Sequence, residues 1–217
     1  MHERLRPWLL LPVKSLLYGK SRLGPALGDV KRRALNDFFL RRMLEVATDF
    51  PGLQKTAIVS DAADSLSLAA KLGAHTIRSE KQGLNQALAD GCHELYRSDA
   101  KEILILPIDL PLVQTGDLLE LAALGDHHPF VICPNKHTAG TNAMVLSKQL
   151  PLRFRFGEDS YRRHQAEARR CGVAPFLHFN ERIAKDVDLP GDLVILDEVA
   201  ANRIGVRRLL GLVACKV

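Results

Sequence analysis

Asp109 stands at the end of an apolar run, residues 103–108, and is followed directly by Leu110 and Pro111. Such a run predicts a buried strand, and a carboxylate at its end points into the cleft at the carboxyl edge of the sheet rather than into the hydrophobic layer. Carboxylates in that position commonly hold a divalent cation, because Mg²⁺ binds a few oxygen ligands together with water and phosphate oxygens. A helix cap or a turn is the plainer interpretation of the same residue.

Asp186 and Asp188 form a second acidic cluster. Residues two apart on an extended segment point to the same face, and two adjacent carboxylates repel each other unless a cation joins them. The pair therefore predicts further ligands for the cation, supplied by one or both residues. Asp192, which follows Pro190, is instead typical of the start of a helix.

Three cations, Lys14, Lys20 and Arg22, lie in a loop that follows the first apolar run. The loop contains Gly-Lys-Ser, the end of a P-loop, but Lys14 stands where that pattern requires glycine, and the sequence has no G-x-G-x-x-G. Neither a P-loop ATPase nor a dinucleotide-dependent dehydrogenase is therefore indicated. Cations at the sheet edge predict a phosphate site, with a solvated basic loop as the alternative. Other short basic clusters, such as residues 31–33, are interpreted as solvated helix faces.

Two clusters rich in small residues precede predicted elements. Residues 140–142 come before a strand, and residues 156–160 come before a helix for which Ser160 is the predicted cap. Backbone N–H groups at such positions bind anions. His164 lies one turn beyond Ser160, and it either faces the same site or has the structural role that is commoner for a helical histidine.

Apolar runs of strand type alternate with amphipathic segments along the chain. The strands are expected at residues 8–13, 56–60, 75–78, 102–108, 130–133, 143–146 and 174–179. The helices are expected at residues 29–50, 64–72, 84–96, 115–124, 160–171 and 203–213. This alternation predicts a single α/β domain over residues 1–217, with a mainly parallel, mixed sheet covered by helices on both faces.

Composition narrows the classes of partner. The net charge of +5 and the pI of about 9.1 favour an anion, whereas an aromatic content of 6% without a stacking-rich motif does not favour a nucleic acid. Four cysteines without metal-ligand spacing suit a reducing cytosol better than a zinc site or a disulfide framework. No run approaches the ~20 apolar residues of a membrane span or forms a signal peptide, so we expect a cytoplasmic protein without membrane contact.

A series of motifs occurs in order between about residues 11 and 193. They are Pro12-Val13-Lys14, Gly19-Lys20-Ser21-Arg22-Leu23, Gly83-Leu84-Asn85, Pro107-Ile108-Asp109-Leu110-Pro111, Gly140-Thr141-Asn142, Phe156-Gly157 with Ser160 and His164, and Asp186-Val187-Asp188 with Asp192-Leu193. Each motif is common by itself, but their joint order is specific. The chain in this respect resembles the 2-phospholactate guanylyltransferases of the CofC/FbiD type, and about the last 20 residues lie outside the resemblance.

The resemblance implies a Rossmann-like nucleotidyltransferase fold, related to the molybdenum cofactor guanylyltransferases. It implies a Mg²⁺-dependent transfer of GMP from GTP to the phosphate of a small carboxylic acid, with release of pyrophosphate, in coenzyme F-420 biosynthesis. The acceptor types of the family are 2-phospho-L-lactate, phosphoenolpyruvate and 3-phosphoglycerate, and the sequence does not choose among them.

The resemblance also implies roles for individual residues. Asp109 with one or both of Asp186 and Asp188 would bind Mg²⁺. Lys14, Lys20 and Arg22 would contact the GTP phosphates and, with Asp109, form the catalytic set. The other nucleotide-binding residues would be Pro12, Gly83 and Asn85, and the acceptor-binding residues would be Thr141, Gly157 and Ser160.

Two other classes of protein remain open at the level of sequence. Another nucleotidyl- or sugar-transferase of the same fold would share the acidic strand end and differ in its nucleotide. A non-catalytic module that binds anions or nucleic acid would fit the charge alone. The residues after 195 are expected to pack on the domain or to bury an apolar face in a homodimer.

Overall fold

The computed structural model describes residues 6–80, 82–147 and 150–202, with the side chains of residues 200–202 excepted. The strands are β1 Trp8–Pro12, β2 Thr56–Ser60, β3 His75–Arg78, β4 Glu102–Ile105, β5 Phe130–Pro134, β6 Thr141–Ser147 and β7 Phe176–Leu177. The helices are α1 Gly24–Asp49, α2 Ala63–Lys71, α3 Leu84–Arg97, α4 Thr115–Gly125, α5 Ser160–Arg170 and α6 Ile195–Asn202. Short 3₁₀ turns lie at Ser21–Leu23, Leu53–Lys55 and Pro190–Val194.

The strands form one sheet in the order β3-β2-β1-β4-β6-β5-β7. The first four strands run parallel to one another, β6 runs antiparallel to both β4 and β5, and β7 is parallel to β5. The mainly parallel, mixed sheet predicted from the sequence is confirmed. Because β6 runs the other way, its first residues lie at the edge where β1 and β4 end, and this edge collects the side chains discussed below.

Apolar side chains on alternate positions of the strands face two separate layers of helices. On β1, Leu9 and Leu11 pack with residues of α1, α2 and α4, whereas Leu10 packs with residues of α3 and α5 on the other face. All three leucines are fully buried. Burial of each side chain is worth about 1.5–3 kcal/mol, so both helix layers are held to the sheet, as predicted.

Helix α1 begins earlier than the sequence indicates. The helix was expected to follow Asp29, but it begins at Gly24 and is interrupted at Gly28, whose φ of 68° and ψ of 171° are not helical. The added first turn buries Leu23 and Leu27 in a cluster with α6. That contact with a distant segment explains why local pattern alone did not predict the turn.

Two predicted strands are shorter in the structure. The run at 102–108 is a strand only to Ile105, because Pro107 lacks the N–H group that a sheet ladder requires. The run at 174–179 is reduced to Phe176–Leu177.

The helix predicted at 203–213 lies outside the described residues, and α6 was not predicted. No helix of the described residues is long and apolar enough to cross a membrane.

Candidate active site

The basic loop after β1 is fastened on one side to the start of α2. Ser15 Oγ donates to Asp64 Oδ2 at 2.9 Å, the Leu17 amide donates to the same oxygen at 3.2 Å, and Ser65 Oγ donates to the Lys14 carbonyl at 2.7 Å. Burial raises the pKa of Asp64, but hydrogen bonds from Ser15 and nearby amides outweigh it and leave the pKa below its usual value. An ionised Asp64 therefore anchors the loop.

Two buried polar residues of α1 fasten the other side of the loop. Arg32 Nη1 donates to the Gly19 carbonyl at 2.8 Å, and Asn36 Nδ2 donates to the carbonyls of Leu16 and Gly19 at 2.9 and 3.2 Å. Arg32 is only 7% exposed. Its interpretation as part of a solvated helix face is therefore wrong, because the packing of the loop on α1 removes this side chain from water.

Lys20 has the left-handed backbone conformation, with φ 55° and ψ 42°. Its ammonium lies between two carboxylates that the sequence singled out: it forms an ion pair with Asp109 Oδ2, and it contacts Asp188 Oδ1 at 2.7 Å. The Lys20 side chain is 12% exposed. Burial lowers the pKa of Lys20, but the charges of Asp109 and Asp188 outweigh it and raise the pKa overall. The two acidic motifs and the basic loop thus meet at one point.

Asp109 also fixes the segment that carries the second acidic cluster. Its carbonyl accepts a hydrogen bond from the Val187 amide at 3.1 Å. Its carboxylate oxygen Oδ1 is buried and has no hydrogen-bond partner within the described part of the chain. A buried carboxylate oxygen without a partner is costly, so the Asp109 carboxylate is suited to a cationic ligand.

Asp186 lies close to the same cluster. Burial, together with the nearby charges of Asp109 and Asp188, raises the pKa of Asp186, although a hydrogen bond from Asn142 opposes the shift. Asn142 Nδ2 donates to Asp186 Oδ1 at 3.2 Å and to the Ile183 carbonyl at 2.9 Å. Asn142 belongs to the motif at residues 140–142, but the sequence did not predict that it binds Asp186. That contact depends on how β6 packs against the segment that carries Asp186.

The segment before Asp186 is held by an ion pair whose carboxylate is buried. Arg182 Nη2 and Nε contact Asp117 at 2.6 and 2.8 Å, and Asn180 Nδ2 donates to the same carboxylate at 2.8 Å. Asp117 lies at the start of α4 and is fully buried. Burial raises its pKa, but the bonds from Arg182, Gln114 and Asn180 outweigh this and lower the pKa. This pair places the Asp186 region against α4.

The segment after Asp188 is ordered by Asp192. Its Oδ2 accepts hydrogen bonds from the amides of Asp188 and Leu189 at 3.0 and 2.7 Å, and its Oδ1 pairs with Lys136 at 2.5 Å. Asp192 stands in the first turn of the 3₁₀ helix, so the prediction that it starts a helical element is confirmed. The position of Asp188 is therefore fixed by the hydrogen bond from its backbone amide to Asp192.

The carboxylates of Asp109, Asp186 and Asp188 supply oxygen atoms, the type of donor that Mg²⁺ prefers. Among the described residues, no group of three or more His, Cys, Asp or Glu side chains is arranged to hold a metal ion. The Lys20 ammonium stands between two of the three carboxylates. The residue types and the partnerless Asp109 oxygen fit the predicted cation, and the assignment of ligands stays a prediction.

Thr141 and Ser160 lie side by side at the same edge. The Thr141 amide donates to Ser160 Oγ at 3.0 Å, and the two residues are 6% and 2% exposed. Ser160 is the first residue of α5, and Asp159, with φ 50°, precedes it as the cap. The prediction of Ser160 as the helix cap is therefore wrong, because its hydroxyl is engaged across the site by β6.

His164 connects Thr141 to the loop before α5. Its Nε2 accepts a hydrogen bond from the Arg155 amide at 2.8 Å, so Nδ1 carries the proton and donates to Thr141 Oγ1, 3.0 Å away. Burial, assisted by the charge of Arg163, lowers the pKa of His164 to about 4. A neutral His164 thus has the structural role, and the Thr141 hydroxyl is left to donate its own proton elsewhere.

Asn85 joins α3 to the second small-residue cluster. Its Oδ1 accepts from the Phe156 amide at 2.7 Å, and its Nδ2 donates to the Phe156 carbonyl at 3.2 Å. The flanking Gly83 and Gly157 have φ values of 109° and 121°, which favour glycine. The predicted nucleotide and acceptor segments are therefore in direct contact.

The remaining predicted residues lie at the rim. Lys14 is exposed, Pro12 is partly exposed at the end of β1, and Arg22 is 72% exposed with Nη1 3.6 Å from Asp188 Oδ2. Lys14 and Arg22 thus present cations to solvent, and Arg22 does so beside the carboxylate cluster. Their predicted contacts to phosphates stay predictions.

Comparison with known proteins identifies guanylyltransferases as relatives of this chain. The phosphoenolpyruvate guanylyltransferase of Rubrobacter xylanophilus is 37% identical over 189 residues, which cover 87% of this chain and 92% of that protein. The 2-phospho-L-lactate guanylyltransferase of Methanocaldococcus vulcanius is 26% identical over 186 residues, which cover 85% of this chain and 81% of that protein.

Solved structures show the same fold. A nucleotide-diphospho-sugar transferase, described as putative, from Desulfovibrio desulfuricans G20 aligns with a TM-score of 0.75 at 19% identity and covers 93% of this chain and 92% of its own. A CMP:2-keto-3-deoxy-manno-octonic acid synthetase complexed with CTP aligns with a TM-score of 0.62 at 15% identity over 91% of this chain and 99% of its own. The family model described as "Guanylyl transferase CofC like" matches residues 8–199. The chain therefore belongs to the CofC-like guanylyl transferase family.

Proposed function

We propose that this protein transfers GMP from GTP to the phosphate of a small phosphorylated carboxylic acid, with release of pyrophosphate, in coenzyme F-420 biosynthesis. The observation that carries the proposal is the convergence of Lys20, Asp109 and Asp188 at the carboxyl edge of the sheet. Phosphoenolpyruvate is the favoured acceptor, because the relative of that name is 37% identical and the relative named for 2-phospho-L-lactate is 26% identical.

The reaction has to bring two anions together. A phosphate oxygen of the acceptor attacks the α-phosphorus of GTP, a new P–O bond forms, and the bond from that phosphorus to the oxygen bridging the α- and β-phosphates breaks. Pyrophosphate leaves with the electron pair. The acceptor phosphate is already largely ionised near neutral pH, since its second pKa is about 6, so the enzyme needs no general base.

The residues of the site supply charge and position. Lys14, Lys20 and Arg22 neutralise the phosphates of GTP, and Asp109 with Asp186 or Asp188 would hold Mg²⁺, which when bound neutralises further charge on the phosphate oxygens. Pro12, at the end of β1, and Gly83 and Asn85, at the start of α3, would contact the nucleotide. The acceptor would lie against the segment that Thr141, Gly157 and Ser160 form, where N–H groups at the start of α5 favour an anion.

Substrate assays test the proposal directly. The protein is incubated with Mg²⁺, GTP and each of the three acids separately, and pyrophosphate and the guanylylated product are followed by mass spectrometry. We expect product with phosphoenolpyruvate, none with CTP or UTP in place of GTP, and none after addition of EDTA. Lack of turnover with all three acids would overturn the assignment, and a preference for CTP or UTP would favour another transferase of this fold.

Asp109→Asn tests the central carboxylate. Because the amide keeps the shape of the side chain and removes its charge, we expect pyrophosphate release to fall by at least about a hundredfold while the fold is retained. The control is Asp126→Asn, a helix-end aspartate of α4 outside the cluster. Near-full Mg²⁺-dependent activity in the Asp109 variant would contradict the mechanism.

Location and assembly follow from the same proposal. GTP and phosphorylated acids are metabolites of the cytoplasm, which supports a cytoplasmic enzyme. A homodimer stays a predicted assembly, and light scattering of the full chain would distinguish one copy from two.

A further inference from the structure

The carboxylate cluster already contains one cation of the chain itself. The Lys20 ammonium bridges Asp109 Oδ2 and Asp188 Oδ1 and lies in a site where its side chain is 12% exposed. A divalent ion held by the carboxylates of Asp109 and Asp188 would take up the negative charge that now binds the ammonium. The ammonium and the ion would therefore compete for the same two side chains.

We infer that the Lys20 ammonium occupies the position of the divalent cation when no nucleotide is bound. When the nucleotide binds together with its metal, the ammonium leaves this position. This inference rests on the proposed function. The phosphates of the nucleotide offer the ammonium a new set of oxygens, and its departure exposes the carboxylates to the metal. Nucleotide and metal thereby bind as a unit, and the metal alone binds weakly.

The backbone around Lys20 allows this exchange. The Gly19 carbonyl is held by Arg32 and Asn36, and the Leu23 amide donates to the Lys20 carbonyl at 2.9 Å. The main chain is therefore fixed, whereas a lysine side chain carries its ammonium on a flexible four-carbon stem. The ammonium can move from the carboxylates to a phosphate without any movement of the loop.

The charges of the cluster explain why a substitute is needed. Asp109, Asp186 and Asp188 lie close enough for the first and last to raise the pKa of Asp186. Like charges at such distances repel, and Arg22, at 3.6 Å from Asp188, is mainly solvent-exposed. Lys20 is the cation that contacts two of these carboxylates directly, so it stabilises the cluster until a metal replaces it.

Binding of Mn²⁺ alone, measured by electron paramagnetic resonance on the full chain without nucleotide, tests the exchange. Lys20→Met removes the competitor, and we expect its affinity for Mn²⁺ to exceed that of the wild type by about tenfold or more. Lys71→Met is the matched control, because it removes the same charge from the exposed far end of α2, and its affinity should equal that of the wild type. Equal or weaker binding by Lys20→Met, or binding by none of the proteins, would overturn the inference.

A second measurement uses the wild-type protein and does not depend on the folding of a variant. The rate of acetylation of Lys20 by an amine-reactive ester is followed by peptide mass spectrometry. Saturating Mn²⁺ should increase this rate several-fold, because the ammonium leaves the carboxylates, whereas the rate at Lys71 should not change. An unchanged rate at Lys20 would overturn the inference. The proposed function fails separately, through absence of GTP turnover with all three acids.

Discussion

At the scale of single residues, the site depends on polar groups whose partners are set by atomic geometry. Asn142 holds Asp186, Asp192 holds the backbone of Asp188, and His164 joins Thr141 to the loop before α5. Each is a buried or half-buried group with defined partners. Removing one partner of such a group costs more free energy than the same change at the surface.

His164 makes stability depend on pH. Its pKa is about 4 in the folded protein and about 6.5 in an unfolded chain, so the unfolded state binds more protons between these values. The contribution of the neutral His164 to the free energy of unfolding is therefore retained above pH 6.5 and decreases as the pH falls toward 4. At pH 5 the loss is about 2 kcal/mol. Urea unfolding at pH 5 and pH 8 measures the difference, which should be smaller in His164→Asn.

The exposed His93 provides the matched control for this prediction. His93→Asn should retain the pH dependence of the wild type, since the pH effect comes from the buried imidazole. Equal pH dependence in the wild type and in His164→Asn would contradict the prediction.

At the scale of elements, two contacts hold irregular segments against helices. The pair of Arg182 with Asp117 fixes the segment before Asp186 to α4, and the reciprocal bonds of Asn85 fix Phe156 to α3. Neither segment has regular secondary structure, so these side-chain contacts determine its position.

Asp117→Asn weakens the first contact. The charge that orients Arg182 is lost from a fully buried position, whereas the partner is 46% exposed, so we expect a loss of roughly 2 kcal/mol in the free energy of unfolding. Glu198→Gln, in the exposed pair with Lys185, should change stability by less than about 0.5 kcal/mol. Urea unfolding compares the two variants, and equal effects would contradict the prediction that the burial of Asp117 strengthens its pair.

Asn85→Ala removes the second contact. The loop that contains Gly157 would lose its two hydrogen bonds to α3, and we expect KM for the acceptor to rise about tenfold or more with a small change in stability. Gln86→Ala is the control, because Gln86 pairs instead with Asp90 of its own helix. Steady-state kinetics at fixed GTP measures the effect, and an unchanged KM would contradict a role for this contact in the acceptor site.

At the scale of the whole molecule, the central strand β1 connects both helix layers and leads into the basic loop. Leu10 is fully buried and packs with α3 and α5, so Leu10→Ala should cost about 2–5 kcal/mol in the free energy of unfolding. Leu119→Ala, at a position 46% exposed, should cost much less. Urea unfolding measures both losses. A small loss in the Leu10 variant would contradict the prediction and would mean that α3 and α5 relax into the cavity left by the leucine side chain.

The sequence by itself determined the family motifs, the alternation of strands and helices, and the position of Asp109 after an apolar run. These are local properties: periodicity and strand-end chemistry lie within a few residues of one another. The early start of α1 fell outside this range of prediction, because it depends on burial against α6. The shortening of the strand at 102–108 follows instead from a local signal, since Pro107 lacks the N–H group of a ladder.

Only the tertiary structure decided which side chains meet. Lys20 reaches Asp109 and Asp188 across 89 and 168 residues of sequence, because β1 and β4 are adjacent and the Val187 amide binds the Asp109 carbonyl. The burial of Arg32 and the tautomer of His164 likewise come from contacts with loops outside their own helices. Sequence pattern names such residues, but their distances, pKa shifts and partners are properties of the packed sheet edge.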